Sequence, residues 1–207
     1  MRPQLPCALV VASVCLTATG AAAQDAKAVL AQAAQAMGMT NVRSITVSGS
    51  ASYGNFGQSR GLSFGLASTS IRDYTWTIDL EHGVARATGV ANPPGAPNGV
   101  PPGPFEERIT PSSPGIKQLE IWTTPWGFLK GASMGPVTMK TRKAEWPGAT
   151  SDDTVYRAIT WVPPFKSASG RPYRIIGYIG PTNMVGMSRP LLKFGGGSVE
   201  ILHDVGD

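Results

Sequence analysis

The stretch that most constrains the fold of this chain is Gln118 to Ala132, QLEIWTTPWGFLKGA, its densest apolar and aromatic segment. Thr124 followed by Pro125 reads as a helix N-cap and first helical position, where a missing N–H costs nothing and φ is already near the helical value. Trp126, Leu129 and Lys130 follow at helical spacing. Gly131 is placed to end the helix in the left-handed conformation, and Pro136 stops any continuation. A short helix this apolar serves as a plug against a sheet. It would bury Trp122, Trp126, Phe128 and Leu129, each contributing about 1.5–3 kcal/mol when fully buried.

The rest of the chain supplies that sheet. Asp25 to Met37 (DAKAVLAQAAQAM) places Val29, Leu30, Ala33 and Met37 along one helical face, and Gly38 follows as a terminator. From Val42 the period changes to two, with Ile45, Val47, Gly49, Ala51 and Tyr53 pointing one way and serines and threonines the other. Gly54 to Ser70 is too rich in small residues to assign. Tyr74, Trp76, Ile78 and Leu80 alternate with polar residues in the clearest strand, Glu81-His82-Gly83 turns the chain, and Val84 to Val90 returns. Residues 91–104 form a proline-rich loop, and Val137–Arg142, Thr154–Trp161 and Tyr173–Ile179 read as three more strands. Gly180 to Asn183 makes a turn. The order predicts an α+β fold, with an N-terminal helix and the short aromatic helix packed on a curved antiparallel sheet, open or a partial barrel.

Met1 to Ala23 has the three parts of a secretory signal: Arg2, the apolar run Cys7 to Leu16, and an A-x-A site at Ala21-Ala22-Ala23 that predicts cleavage before Gln24. The apolar run is too short for a permanent membrane span. Val14 before Cys15 argues against lipoprotein processing. The expected product is a periplasmic or secreted single domain, 24–207, that does not span a membrane. Cys7 and Cys15 are the only cysteines and leave with the signal, which removes disulfides, thiolate chemistry and Cys-based zinc sites. The net charge of +5 is scattered. Lys140, Arg142 and Lys143 are its nearest approach to a cluster, and they fit a strand edge better than a phosphate-binding patch, so no nucleic-acid partner is expected.

Few residues offer chemistry. His82 sits at a hairpin tip with no second ligand at metal spacing, and neither it nor His203 provides a metal or cofactor site. Gly131-Ala132-Ser133-Met134-Gly135 matches G-x-S-x-G, and Asp152 or Asp153 and then His203 follow in the Ser, Asp, His order of α/β-hydrolases. A nucleophile elbow, however, needs a strand entering and a helix leaving, and here a helix enters and a strand leaves. Glu106 and Glu107 are adjacent and in a strand face opposite ways, while Asp152-Asp153 read as a turn. Neither makes a general acid/base pair.

AMGMTNVRSITVSGSASY, Asn92-Pro93-Pro94 in its proline-rich loop, LEIWTTPWGFLKGA and GYIGPTNMV together resemble the N-terminal region of exported bacterial metallo-β-lactamase-fold hydrolases. The likeness runs from about Gln24 to Val185 and is most specific in WTTPWGFLKGA. It implies a β-rich domain that precedes a zinc-binding catalytic domain, and it assigns no chemistry to these residues. The zinc signature H-x-H-x-D-H is absent from this chain. Residues 186–207 depart from the family pattern, with only Val199, Ile201 and their neighbours strand-like. Stand-alone domain and truncated hydrolase both remain open readings.

Two function classes follow. One is a non-catalytic periplasmic accessory or binding domain whose partner is an apolar small molecule or a hydrolase domain. Its candidate apolar pocket or core is Trp76, Trp122, Trp126, Phe128 and Leu129, in which aromatic residues at this spacing are more often core. The other is a serine esterase-like enzyme using Ser133.

Overall fold

The computed structural model describes residues 25–54, 68–92, 101–143, 155–194, 197–200 and 203–204. The expected leader with both cysteines, most of the Gly/Ser-rich stretch, the centre of the proline-rich loop, and Asp152 and Asp153 lie outside the described residues.

The described chain opens in a helix, α1 (25–36), whose buried Ala26, Val29, Leu30 and Ala33 recur at helical spacing. It stops where expected. Gly38 takes φ +67°, its N–H donates to the Gln35 carbonyl, and the Met39 N–H reaches back to the Ala34 carbonyl, so otherwise unpaired carbonyls are satisfied.

Four strands follow in sheet order β1-β2-β3-β4: β1 (Ser44–Gly54), β2 (Ser68–Asp79), β3 (Val84–Asn92) and β4 (Gly103–Ile109), all antiparallel. Register explains the two faces. Ile45, Ile78, Ala85 and Ile109 stand in one row across the sheet, while Thr46, Thr77, Arg86 and Arg108 stand in the next row on the opposite face. Ile78, Ala85 and Ile109 are buried and the second row is exposed. β1 is an edge strand among the described residues, and Val47 on it stays 37% exposed. The β2–β3 turn is built by Asp79, whose carboxylate accepts the backbone N–H groups of Glu81 and His82. Gly83 supplies the positive φ.

β4 begins inside the stretch expected to be loop. Pro104 masks it in the sequence, but an edge strand tolerates a missing N–H, and beyond Pro104 the pattern alternates cleanly. α2 (Gly115–Trp122) then buries Gln118, Leu119 and Ile121. The Gln118 amide donates to the carbonyls of Pro111 and Ser113 at 3.0 and 2.8 Å, which satisfies a polar group that would otherwise be costly to bury.

After α3 (Pro125–Met134) comes a second antiparallel sheet: β5 (Val137–Lys143), β6 (Val155–Trp161), β7 (Arg174–Ile179), β8 (Val185–Phe194), β9 (Gly197–Glu200) and β10 (His203–Asp204). Its order is β10-β8-β7-β6-β5, with β9 also paired to β8. The tail is thus more regular than its sequence suggests, since strand runs on from Val185 to Phe194. Pro190 pairs with Ile175 of β7, while β9 pairs from Leu191 onward and β10 pairs with Met187 and Ser188 on the other side of β8.

The α+β class and the open antiparallel sheets are as expected, with the strands divided between two sheets rather than gathered in one; among the described residues neither closes into a barrel. The chain forms two compact units. One is residues 42–121, with β1 to β4 and nearly all of α2, and the other joins α1 to the residues from Trp122 onward. Among the described residues no helix is long and apolar enough to cross a membrane.

Candidate functional site

α3 is fixed locally by its first residues. Thr124 takes an extended conformation, its hydroxyl accepts the Gly127 N–H at 3.0 Å, and Pro125 occupies the first turn, as the sequence predicts. The helix lies against β6, β7 and β8.

At 100° per residue its positions divide into two arcs. Pro125, Phe128, Leu129, Gly131 and Ala132 are buried, while Trp126 and Lys130 are half-buried and Ser133 and Met134 are exposed. Phe128 is 0% exposed and Leu129 3%, so both are core. Trp126 does not share their burial, which corrects the expectation of a plug with every aromatic inward. It sits one turn before Lys130 on the open arc, and Trp122 at the end of α2 is also half-buried.

Gly131 does not end the helix, which continues to Met134. Its role is close approach. A Cβ there would lie 2.2 Å from Cη2 of the Trp161 ring, and one on Gly135 would lie 2.6 Å from the Trp161 Nε1. The ring of Trp161 therefore fits against the helix only because both positions lack side chains. Trp122 closes on it edge-first, with ring centroids 5.6 Å apart at 68°. Phe128 uses the same device on β7, since a Cβ on Gly177 would fall 2.1 Å from Cε1 of its ring. Tyr156, Ala158 and Tyr178 form a separate buried cluster with Ile176 packed against it. Their register places them on the other face of the sheet from Trp161 and Gly177.

Trp76 belongs to the other compact unit. It is half-buried on β2, opposite Val47 and Ala87.

Ser133 is exposed in the last turn of α3, and its hydroxyl donates to the Lys130 carbonyl at 2.7 Å. A helix enters this position and β5 leaves it, the reverse of a nucleophile elbow. His203 is placed by its backbone in β10, paired opposite Ser188. His82 is exposed, and its Nδ1 contacts the Asp79 carboxylate at 2.8 Å. That hydrogen bond raises the imidazole pKa and, with the backbone N–H of His82, lowers the Asp79 pKa. Both groups are committed to shaping the turn. Among the described residues no group of three His, Cys, Asp or Glu side chains is placed to hold a metal.

Glu106 and Glu107 face opposite ways, as alternation requires. Glu106 pairs with Arg86 and Arg108 on the exposed face, while Glu107 accepts from Lys117 of α2. Sequence reasoning missed two polar clusters. One joins Glu107, Lys117 and Glu120. In the other, Arg157 donates to the Gly180 carbonyl and the Asn183 side chain, clamping the turn before β8. Only the i, i+3 spacing of Lys117 and Glu120 signals either cluster locally.

Comparison of the chain with family models, with curated proteins and with solved structures finds no match in any of the three.

Proposed function

We propose that this chain is a non-catalytic exported binding or accessory domain, similar in kind to the N-terminal region of metallo-β-lactamase-fold hydrolases, and that it binds through the open arc of α3. One observation carries this reading. A helix with one tightly packed arc keeps Trp126 partly exposed and Met134 62% exposed on the other, with Lys130 between them. A contiguous apolar patch left in water and rimmed by polar groups marks an interaction site, and Trp126 and Met134 lie along one line of the helix as such a patch would. The chemistry fits an apolar ligand carrying an acidic group, with the body against Trp126 and the charge at Lys130.

The experiment is a fluorescence titration with anilinonaphthalene sulfonate, an apolar anion. The folded protein should bind it saturably, and Trp126→Ala should weaken binding while lowering the unfolding midpoint less than Leu129→Ala does. Saturable binding that is indifferent to Trp126, or no binding at all, rejects this surface.

A further inference from the structure

The edge of a sheet presents a row of unpaired backbone N–H and C=O groups, and folded chains defend such edges with charge, proline or short length. Most of the described edges are defended in this way. β4 carries Pro104, Glu106, Glu107 and Arg108, β5 carries Lys140, Arg142 and Lys143, and β9 and β10 are four and two residues long. β1 has neither charge nor proline in its eleven residues, SITVSGSASYG. Its one irregularity against β2 falls between Gly49 and Ala51, beyond a regular stretch from Ser44 to Gly49. Thr46, Val47, Ser48 and Gly49 on that stretch are exposed, and nothing lies within 4 Å of a Cβ built on Gly49.

We propose that β1 is the docking edge for a second copy of this chain, pairing antiparallel with its counterpart about a two-fold axis at Val47, so that the four strands of each copy form one continuous sheet. Charge selects this occupant. Two neutral strands meet without repulsion, whereas two copies of β5 would set cations against cations, and a strongly charged partner strand finds no counter-charge on β1.

Symmetry then sets the register. Opposed residues of an antiparallel pair share a face of the sheet, so a two-fold axis normal to the sheet must place one residue opposite its own copy. Val47 is the exposed large apolar side chain on β1 among the described residues. An axis there opposes Val47 to Val47, Thr46 to Ser48, and Ile45 to Gly49. Each match continues something already present in the sheet. Val47 stands in a row with Trp76 and Ala87, which the second valine lengthens. The hydroxyls of Thr46 and Thr77 are 3.1 Å apart and those of Ser48 and Thr75 3.5 Å apart, a ladder that the copy's Ser48 and Thr46 extend. The open space over Gly49 receives the copy's Ile45. A single strand pair buries less area than a standard interface, so the association is weak and concentration-dependent.

Sedimentation equilibrium of the whole protein, from roughly micromolar to millimolar concentration, tests this. The wild-type protein should show a monomer–dimer equilibrium. Val47→Lys and Val47→Glu each set like charges against one another and should raise the dissociation constant about tenfold or more. An equimolar mixture of the two folded variants should restore a dimer containing one of each. Independently of either variant, the wild-type amides of residues 44–50 should exchange more slowly as protein concentration rises. A protein monomeric throughout the range, a dimer indifferent to both Val47 variants, or folded variants that do not associate when mixed would overturn the proposal. So would β1 amides whose exchange is independent of concentration; if that exchange is slow throughout, a segment of the same chain covers the edge instead.

Discussion

Phe128→Ala should lower the unfolding free energy by about 3–5 kcal/mol, the range for deleting a fully buried aromatic side chain. Phe128 is 0% exposed, and its ring lies directly over the backbone of β7 at Gly177, where any side chain would collide with it. The void cannot be refilled from below, because Gly177 has no side chain to move and its strand is paired on both sides with β6 and β8. Loss of transfer energy and retention of a cavity therefore add. Equilibrium urea unfolding reads the effect as a lowered midpoint with an unchanged slope. A loss below about 1 kcal/mol, the scale of an ordinary surface change, would show that α3 is not seated on the second sheet as described.

Leu129→Ala should cost about 2–5 kcal/mol for the same reason. Leu129 is 3% exposed on the packed arc, beside Phe128 and one turn from Ala132. The informative comparison is with Trp126, larger but half-buried three residues earlier. A tool that ranked residues by size would place Trp126 first, whereas burial ranks it last of the three. Urea unfolding of Leu129→Ala and Trp126→Ala side by side distinguishes the two orders. A Trp126→Ala chain less stable than Leu129→Ala would contradict the division of α3 into a packed and an open arc.

That division also shows what the sequence could reveal. The start of α3 was legible because a cap is a local device, and Thr124 with Pro125 carries it within a few residues. Its end was misread because Gly131 is a glycine for a distant reason, the ring of Trp161 thirty residues further on. Strands with one wet face, such as β2 and β3, announced themselves by alternation. β4 was hidden by Pro104, and β8 by Gly186 and Pro190, which give no alternating signal. Local periodicity names a strand but not its partners, so it could not divide the strands between two sheets. The candidate residues fared in the same way. Apolar character was readable, but whether Phe128 is core and Trp126 part-open depends on which arc faces the sheet. The Glu107–Lys117–Glu120 cluster, which bridges a strand and a helix, was out of reach of spacing rules apart from its i, i+3 pair.

The central claim, that the stretch from Trp122 to Met134 packs and binds but performs no chemistry, is tested most directly by ester turnover on wild-type protein and Ser133→Ala. The Ser133 hydroxyl is held by the Lys130 carbonyl at the end of a helix, so both proteins should show the same background hydrolysis and nearly the same unfolding midpoint. Turnover above background that disappears in a folded Ser133→Ala protein would contradict the account and restore the serine esterase reading.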